Sequence, residues 1–553
     1  MVKDEIAKLL AQAINLAQQK GDLPPFEPPT ITVERPKEEV HGDYACSAAL
    51  KLAKAAKMPP LAIARAVVAN LAPADFVGKA EVAPPGFINI TLSQKWLAQQ
   101  VESIIAQGDS FGHLDLGKGK KAQVEFVSAN PTGPLHLGNA RGAALGDALA
   151  HVLAAAGYQV SREYYVNDRG TQVQTLGRSV FVRYRQLLGQ DIPLPLDCYP
   201  GQYVIDIARE IAEKEGDRYL KMEQAQAEEA LVDLAVAWVV RDIRRTVEKL
   251  GVNYDVWFSE KSLYADHYVE DTIAMLKAKG FTAEKDGALW FVATTLGEDK
   301  DNVLVRSNEE PTYYTSDIAY HRNKFLDRGF DLVIDVWGST HHGHIPRMKA
   351  AMQALGLDPE RLQIVLYQFV RFVHGEKILS MGKRKGQFIT LENIIDAVGA
   401  DATRFFLITR SADSHLDFDL ELAKKQSNEN PVYYVQYAHA RISSILRYAG
   451  DLDYRDGDVG LLTSPPEQAL IRQMLLLPET VETAATHFEP HHLPHYAMEL
   501  ASAFHSFYKE CRVVSSDPSD LPLTKARLKL VQAARIVLAN SLRMMGISAP
   551  EQM

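Results

Sequence analysis

The segment from Val124 to Val166 constrains the fold more than any other part of the chain. Val124 to Val127 reads as an apolar-rich strand, and a proline- and glycine-punctuated loop, Ser128-Ala129-Asn130-Pro131-Thr132-Gly133-Pro134, follows it. A helix pattern then runs from about 136 to 155, closed by Gly157 as a C-cap, and a second strand spans Val160 to Val166. Strand, helix, strand at this spacing predicts a doubly wound sheet. Ligands of such sheets bind at the carboxyl ends of the strands, where a helix start offers unpaired N–H groups and a positive dipole end to an anion. Gly138, Gly142 and Gly146 recur every four residues on one helical face, so the helix can lie close to a strand or a ligand.

The flanking patterns divide the chain. Residues 1–115 are expected to form an α+β domain. Its elements are an amphipathic helix carrying Ile6, Leu9, Leu10, Ala13 and Ile14 and ending near Gly21, a strand-like run Thr30-Ile31-Thr32-Val33, helices around 45–71, and a strand from Phe87 to Leu92. Residues 116–410 continue the α/β pattern, with buried-type strands at Leu332 to Trp337 and Leu362 to Phe369. Between them a mostly helical insertion is predicted at about 177–300, with a hairpin signal at Asp286-Gly287. Residues 411–553 are helix-patterned; Val435, Ala438, Ile442 and Ile445 form one stripe, which predicts an all-α bundle.

Composition limits the function classes. Of 553 residues, 46% are apolar and 24% charged, the balance of a soluble globular protein, and no apolar run is long enough to span a bilayer. Cys46, Cys198 and Cys511 are too dispersed for a disulfide framework or a CxxC zinc site, which fits a reducing cytoplasm. A formal net charge of -10 does not mark a nucleic-acid binder, so any RNA contact must use local basic patches.

Four constellations could carry chemistry. The loop and helix start carries Glu125, Ser128, Asn130, His136, Gly138 and Asn139. Lys377, Lys383, Arg384 and Lys385 sit in a glycine-punctuated segment with Met381, suited to clamping a polyphosphate. Polar clusters lie at other strand ends: Tyr164 to Gly170, Tyr313 to Tyr320 with Asp317, and Trp337 to His344 with Gly338, His341 and His342. Three histidines in the last cluster invite a metal reading, but no helical i, i+4 pair in a metal context and no cysteine or carboxylate nearby in sequence supports it. Finally, Tyr437, Arg441 and Tyr508 stand on aromatic- and base-bearing helices that could stack on single-stranded bases.

His136-Leu137-Gly138-Asn139 in its loop resembles the HIGH signature of class I aminoacyl-tRNA synthetases, and its flanks, Ser128 to Pro134 and Arg141 to Asp147, resemble the arginyl branch. Met381-Gly382-Lys383 and its neighbours are similar to the KMSKS loop, with Lys383 at the second lysine. The chain departs from the family pattern at Asn139, Thr340, Ser380 and Gly382. The resemblance covers essentially the whole chain. It implies a Rossmann-type catalytic domain, an N-terminal domain contacting the tRNA elbow, and a helical anticodon-binding domain whose C-terminus, ending at Met553, lines the anticodon pocket.

By that resemblance, His136, Asn139 and Lys383 are catalytic, and His136, Gly138, Asn139, Gly338, His341, His342, Met381 and Lys383 hold ATP. Glu125, Ser128, Asn130, Tyr313 and Asp317 hold arginine, and Tyr437, Arg441, Tyr508 and Met553 contact tRNA. The reaction is activation of L-arginine by Mg-ATP and transfer to tRNA(Arg), by a cytoplasmic monomer with no structural zinc. Three rivals are a small-molecule nucleotidylyltransferase, which has no use for two large extra domains, a non-catalytic tRNA-binding relative, and a cysteinyl enzyme, which needs clustered zinc ligands.

Overall fold

The computed structural model describes residues 1–553 except 266, 375–376 and 380–389. The N-terminal unit comprises α1 (Val2–Lys20), β1 (Tyr44–Cys46), α2 (Ala48–Ala56), α3 (Pro60–Ala69), β2 (Val77–Ala83), β3 (Phe87–Leu92) and α4 (Gln94–Gln107). Its sheet is antiparallel in the order β1-β3-β2. α1 stops where Gly21 turns left-handed at φ 81°. Thr30 to Val33 is not a strand: only Glu34 bridges to Ala45, and nothing else extends a ladder to that run. The expected helical tract at 45–71 is split, because Tyr44–Cys46 joins β3 and Pro59-Pro60 bars helix continuation from Met58.

The central unit runs β4 (Lys121–Phe126), α5 (Leu137–Ala155), β5 (Gln159–Val166), α6 (Thr171–Leu187), α7 (Gln202–Glu215), α8 (Gln224–Lys249), β6 (Val256–Ser259), α9 (Ser262–Ala265) and α10 (Tyr268–Ala278). A small antiparallel sheet follows, β7 (Thr282–Lys285), β8 (Ala288–Phe291) and β9 (Asn302–Val305), then α11 (Tyr313–Arg322), β10 (Leu332–Gly338), α12 (Ile345–Leu355) and β11 (Leu362–Tyr367). The hairpin at Asp286-Gly287 has φ 53° and 70°, the paired positive values of a type I′ turn. Five strands pair in parallel in the order β11-β10-β4-β5-β6. The stretch at 177–300 is therefore not wholly an insertion outside the sheet, since β6 returns to its edge. Chain order reverses between β4 and β10, which opens a crevice at their carboxyl ends.

Smaller elements close this unit: β12 (Val370–His374), β13 (Lys377–Leu379), α13 (Leu391–Val398), α14 (Ala400–Ile408), β14 (Leu416–Asp419) and α15 (Leu420–Lys424). The C-terminal bundle is α16 (Pro431–Tyr448), α17 (Pro465–Met474), α18 (Leu477–His487), α19 (His492–Glu510) and α20 (Leu521–Met544). The stripe Val435, Ala438, Ile442 and Ile445 is buried against the other helices, as its period requires.

Charged pairs tie the units together. Arg404 of α14 is fully buried, pairs with Asp147 of α5 and donates through Nε to the Met545 carbonyl at 2.9 Å. Arg35 and the Tyr44 hydroxyl both reach Glu479 of α18, at 3.0 and 2.5 Å, and Arg472 of α17 reaches Asp43 at 2.6 Å. α5 lies so close to the sheet that a Cβ on Gly146 would overlap the Phe126 ring, and one on Gly142 would stand 3.1 Å from Tyr367. The glycine stripe thus seats helix against sheet. Gly146→Ala should lower unfolding stability by about 1–3 kcal/mol, the usual cost of overpacking; a chemical-denaturation midpoint equal to that of the unaltered protein would disprove this contact.

Candidate active site

The loop after β4 is built under strain. The Ser128 N–H donates to the Phe126 carbonyl at 3.0 Å, closing a three-residue turn with Val127 at φ 70°. A β-branched residue in that region costs about 1–3 kcal/mol and persists only when its surroundings over-determine it. They do so here. The Ser128 hydroxyl donates to Glu125 Oε1 at 2.8 Å and accepts from the Tyr165 N–H at 3.1 Å. Tyr164 pins the Ala129 carbonyl at 2.9 Å, and Tyr203 of α7 pins that of Thr132 at 2.7 Å.

His136 is the N-cap of α5. Its Nδ1 accepts the Gly138 N–H at 3.1 Å, so a neutral imidazole carries its hydrogen on Nε2. Asn139 Oδ1 accepts the His136 N–H at 3.1 Å and completes a capping box. Thr390 bridges to His136, and the Leu391 N–H donates to the Leu135 carbonyl at 2.8 Å, so the chain leaving segment 380–389 lands beside the same helix start.

These residues edge a cleft of about 870 Å³. Glu125, Ser128, Asn130, His136, Gly138, Asn139, Tyr313, Asp317, Gly338 and His341 all line it. His342 does not; it stands exposed on the 3₁₀ turn Ser339–His344. Met381 and Lys383 lie outside the described residues. The cleft also takes Asn167, Tyr199 and Trp337, which the sequence did not single out as contacts.

One end of the cleft is rich in carboxylates. Burial pushes Asp317 up to about 7; His321 opposes this, while Glu260, Glu125 and Asp335 add to it. No described side chain hydrogen-bonds the Asp317 carboxylate. Glu125 is raised by burial too, although Lys324 Nζ sits 2.7 Å from Oε2 and opposes the shift. Lys324 also holds Asp335 at 2.9 Å, and His321 Nε2 lies 2.9 Å from the other oxygen of Asp335. Burial works against the Asp335 charge, but Lys324 and His321 overcome it and bring the group to about 2. Lys324 is fully buried and remains cationic because the attraction of Asp335 and Glu125 outweighs desolvation. A π turn, Asn323–Asp327, continues α11 and presents this lysine. No sequence signal announced that turn, so Lys324 was not among the expected site residues; nor were its neighbours His321 of α11 and Asp335 of β10.

The same cleft offers the α5 N-terminus, His136, Asn139, Gly338 and His341. It thus combines N–H donors and a helix dipole with a carboxylate that no described side chain hydrogen-bonds.

A second surface lies on the bundle. Tyr437 stacks on His505 with centroids 6.0 Å apart, and Arg441 lies over Tyr437 and Tyr508 at 5.6 and 5.1 Å. Met553 lines an adjoining hollow of about 640 Å³ with Asp401, Tyr433 and Gln436, and Tyr433 stacks on Tyr437 with centroids 6.2 Å apart. The tail is fixed there: Gln436 donates to the Ser548 carbonyl at 3.0 Å and Arg447 to that of Glu551 at 3.1 Å. Among the described residues, His341, His342 and His344 do not converge into a metal-ligand set, the three cysteines are free, and no helix is long and apolar enough to cross a membrane.

Three family models match: the arginyl tRNA synthetase N terminal domain at residues 4–92, the class I (R) tRNA synthetase catalytic domain at 100–424, and the DALR anticodon binding domain at 435–553. An arginine–tRNA ligase of Dehalococcoides mccartyi is 48% identical over 100% of this chain and 99% of its own. One from Moorella thermoacetica is 49% identical over the same shares. Among solved structures, an arginyl-tRNA synthetase from Campylobacter jejuni, described as putative, is 33% identical with a TM-score of 0.76, covering 84% of this chain and 100% of that one. The Thermus thermophilus arginyl-tRNA synthetase, 24% identical, has the same fold over 100% of both chains with a TM-score of 0.78.

The capping box gives Asn139 two tasks, since Oδ1 caps the helix while its NH₂ remains a neutral donor at the cleft edge. Asn139→Ala should lose about 1 kcal/mol of stability with the cap. It should also lower kcat more than it raises KM for the amino acid, because one lost transition-state donor is worth about 2.7–4 kcal/mol. Unchanged kcat with lowered thermal stability would leave Asn139 only its capping task.

Proposed function

Since the chain belongs to the arginyl-tRNA synthetase family and is a class I arginine–tRNA ligase, we propose that the cleft at the β4–β10 crevice performs both half-reactions, with arginine at its carboxylate end and Mg-ATP at the helix end. The observation that carries this reading is the half-buried Asp317 carboxylate, which no described side chain hydrogen-bonds and which lines the same cleft as the α5 N-terminus. A guanidinium is planar, always charged and carries five donors, so its pocket needs fixed acceptors. Asp317 takes the guanidinium, and Tyr313, four positions earlier on α11, closes one wall. Glu125, Ser128 and Asn130 receive the α-ammonium end. A carboxylate oxygen of arginine attacks the α-phosphorus in line; the bond to pyrophosphate breaks, and arginyl-adenylate forms. A terminal ribose hydroxyl of tRNA(Arg) then attacks the carbonyl carbon, and AMP leaves.

No side chain becomes a nucleophile, so positioning and charge stabilisation supply the rate. His136, Gly138, Asn139, Gly338 and His341 contact ATP, with Met381 and Lys383 added from the cationic loop. Tyr437, Arg441, Tyr508 and Met553 meet the anticodon arm, while residues 1–115 meet the tRNA elbow. Magnesium enters with the nucleotide as substrate, and the enzyme acts as a cytoplasmic monomer. ATP–pyrophosphate exchange should respond to arginine alone among the amino acids and should require tRNA(Arg); strong exchange without RNA would count against the second half of this reading.

Asp317→Asn should raise KM for arginine strongly, change KM for ATP little, and erode discrimination against uncharged citrulline. Sites built around a charged or hydrogen-bonded partner reject analogues lacking it by about 10⁴–10⁵. Full retention of selectivity would make the carboxylate structural. The pH profile is a separate check. Asp317 in the free enzyme gains its proton as pH falls through about 7, and the neutral acid cannot pair with a guanidinium. The value of kcat/KM for arginine should thus fall about tenfold per pH unit below that point. A profile flat down to pH 5 would contradict the assignment.

A further inference from the structure

We propose that Glu489, His491 and His492, at the turn between α18 and α19, form a surface site for a divalent transition ion of zinc type. One ligand atom from each lies within 4.8 Å of the other two. His492 Nε2 stands 3.0 Å from Glu489 Oε2, and the rings of His491 and His492 have centroids 4.3 Å apart. Ligand atoms on a tetrahedral ion with bonds of about 2.1 Å sit about 3.4 Å apart, so small side-chain rotations close the set. Imidazole and carboxylate suit zinc, and three protein ligands leave one position for water. The side chains of His492 and Glu489 are 38% and 46% exposed, which leaves that position open.

The backbone that carries these ligands is held in place. Phe488 ends α18 in the left-handed region at φ 59°, and the Glu489 N–H returns to the Ala484 carbonyl at 3.0 Å. The His492 N–H bonds to Glu489 at 3.4 Å and the Leu493 N–H to Pro490 at 3.1 Å, while Pro490, Leu493 and Pro494 are buried. A short turn seated on buried proline and leucine spends little order on gathering ligands. The start of α19 opposes a cation there. Offsetting it are the Glu489 charge and Asp413, on the loop before β14, which acts electrostatically on His491. His495 stands further off, its ring centroid 6.5 Å from that of His491.

The loop that carries Asp413 is itself held in place: Arg141 grips the carbonyls of Ser411 and Ser414 at 2.9 and 2.7 Å and that of Gln368 at 2.7 Å.

The test uses the full-length protein freed of metal by chelation, titrated with Zn²⁺ by calorimetry and with Co²⁺ as a spectroscopic stand-in. We expect one ion per chain, Co²⁺ bands of low-coordinate type, and a thermal midpoint raised by Zn²⁺. Glu489→Gln, nearly isosteric, should weaken binding at least tenfold, and His491→Ala with His492→Ala should abolish it. A variant with His341, His342 and His344 all changed to Ala should bind as before. Absence of saturable binding overturns the site. So does binding that survives the double change or disappears from the triple variant instead. Circular dichroism of Glu489→Gln shows that the fold is intact where affinity falls.

Discussion

The ammonium of Lys324, wholly buried and shared by Glu125 and Asp335, is the contact on which the cleft depends. Removing the lysine would leave two carboxylates in the interior without their cation, at a cost of several kcal/mol. The lysine also sets the charge balance of the cleft: it answers Glu125 and Asp335, while no described side chain hydrogen-bonds Asp317. The same lysine lies 4.1 Å from the centroid of the Tyr320 ring, and Tyr320 in turn donates to Glu163 at 2.5 Å. Through these contacts β4, β5, β10 and α11 share a single electrostatic arrangement, and the protein's own side chains hold this end of the cleft in shape.

That arrangement explains why the strained loop survives. Val127 is held in an unfavourable turn because Ser128 bonds at once to Glu125 and to the β5 backbone. Glu125 is itself held by Lys324. The buried ion pair therefore stabilises a backbone shape in which Ser128 and Asn130 edge the cleft. Binding energy need not be spent on shaping the site when substrate arrives, which leaves more of it for the transition state.

Much of this was legible in the sequence. The strand–loop–helix around Glu125 to Asn139 specified the parallel sheet, because its periodicity and its proline–glycine loop agree with each other and with the site they build. Gly338, at the end of β10, lies where a doubly wound sheet puts its ligands, whereas Asp317, within α11, was marked by the family resemblance. The failures have physical reasons too. Thr30 to Val33 has the composition of a strand, but a strand needs a partner, and none is available. Lys324 was invisible because its role comes from a π turn that shifts one residue inward, and the pattern of apolar residues carries no mark of it. β6 was taken into the helical tract because four residues at a sheet edge give almost no periodic signal.

The contacts between the N-terminal unit and the bundle bear on the order in which the molecule is made. Arg35 and Glu479 are 444 positions apart, and Arg472 and Asp43 are 429 apart. On a ribosome the first unit is finished long before its seat on α17 and α18 exists. During that interval Arg35 and Asp43 face water, which suits charged groups, and no apolar face must wait uncovered at those positions. Salt bridges suit that delay, but α4 of the same unit also packs its apolar face on α17 and α20, and that face is covered only once those helices exist. The last helices to emerge close the molecule around its first domain, and completion of the chain becomes the event that fixes the span between its two ends.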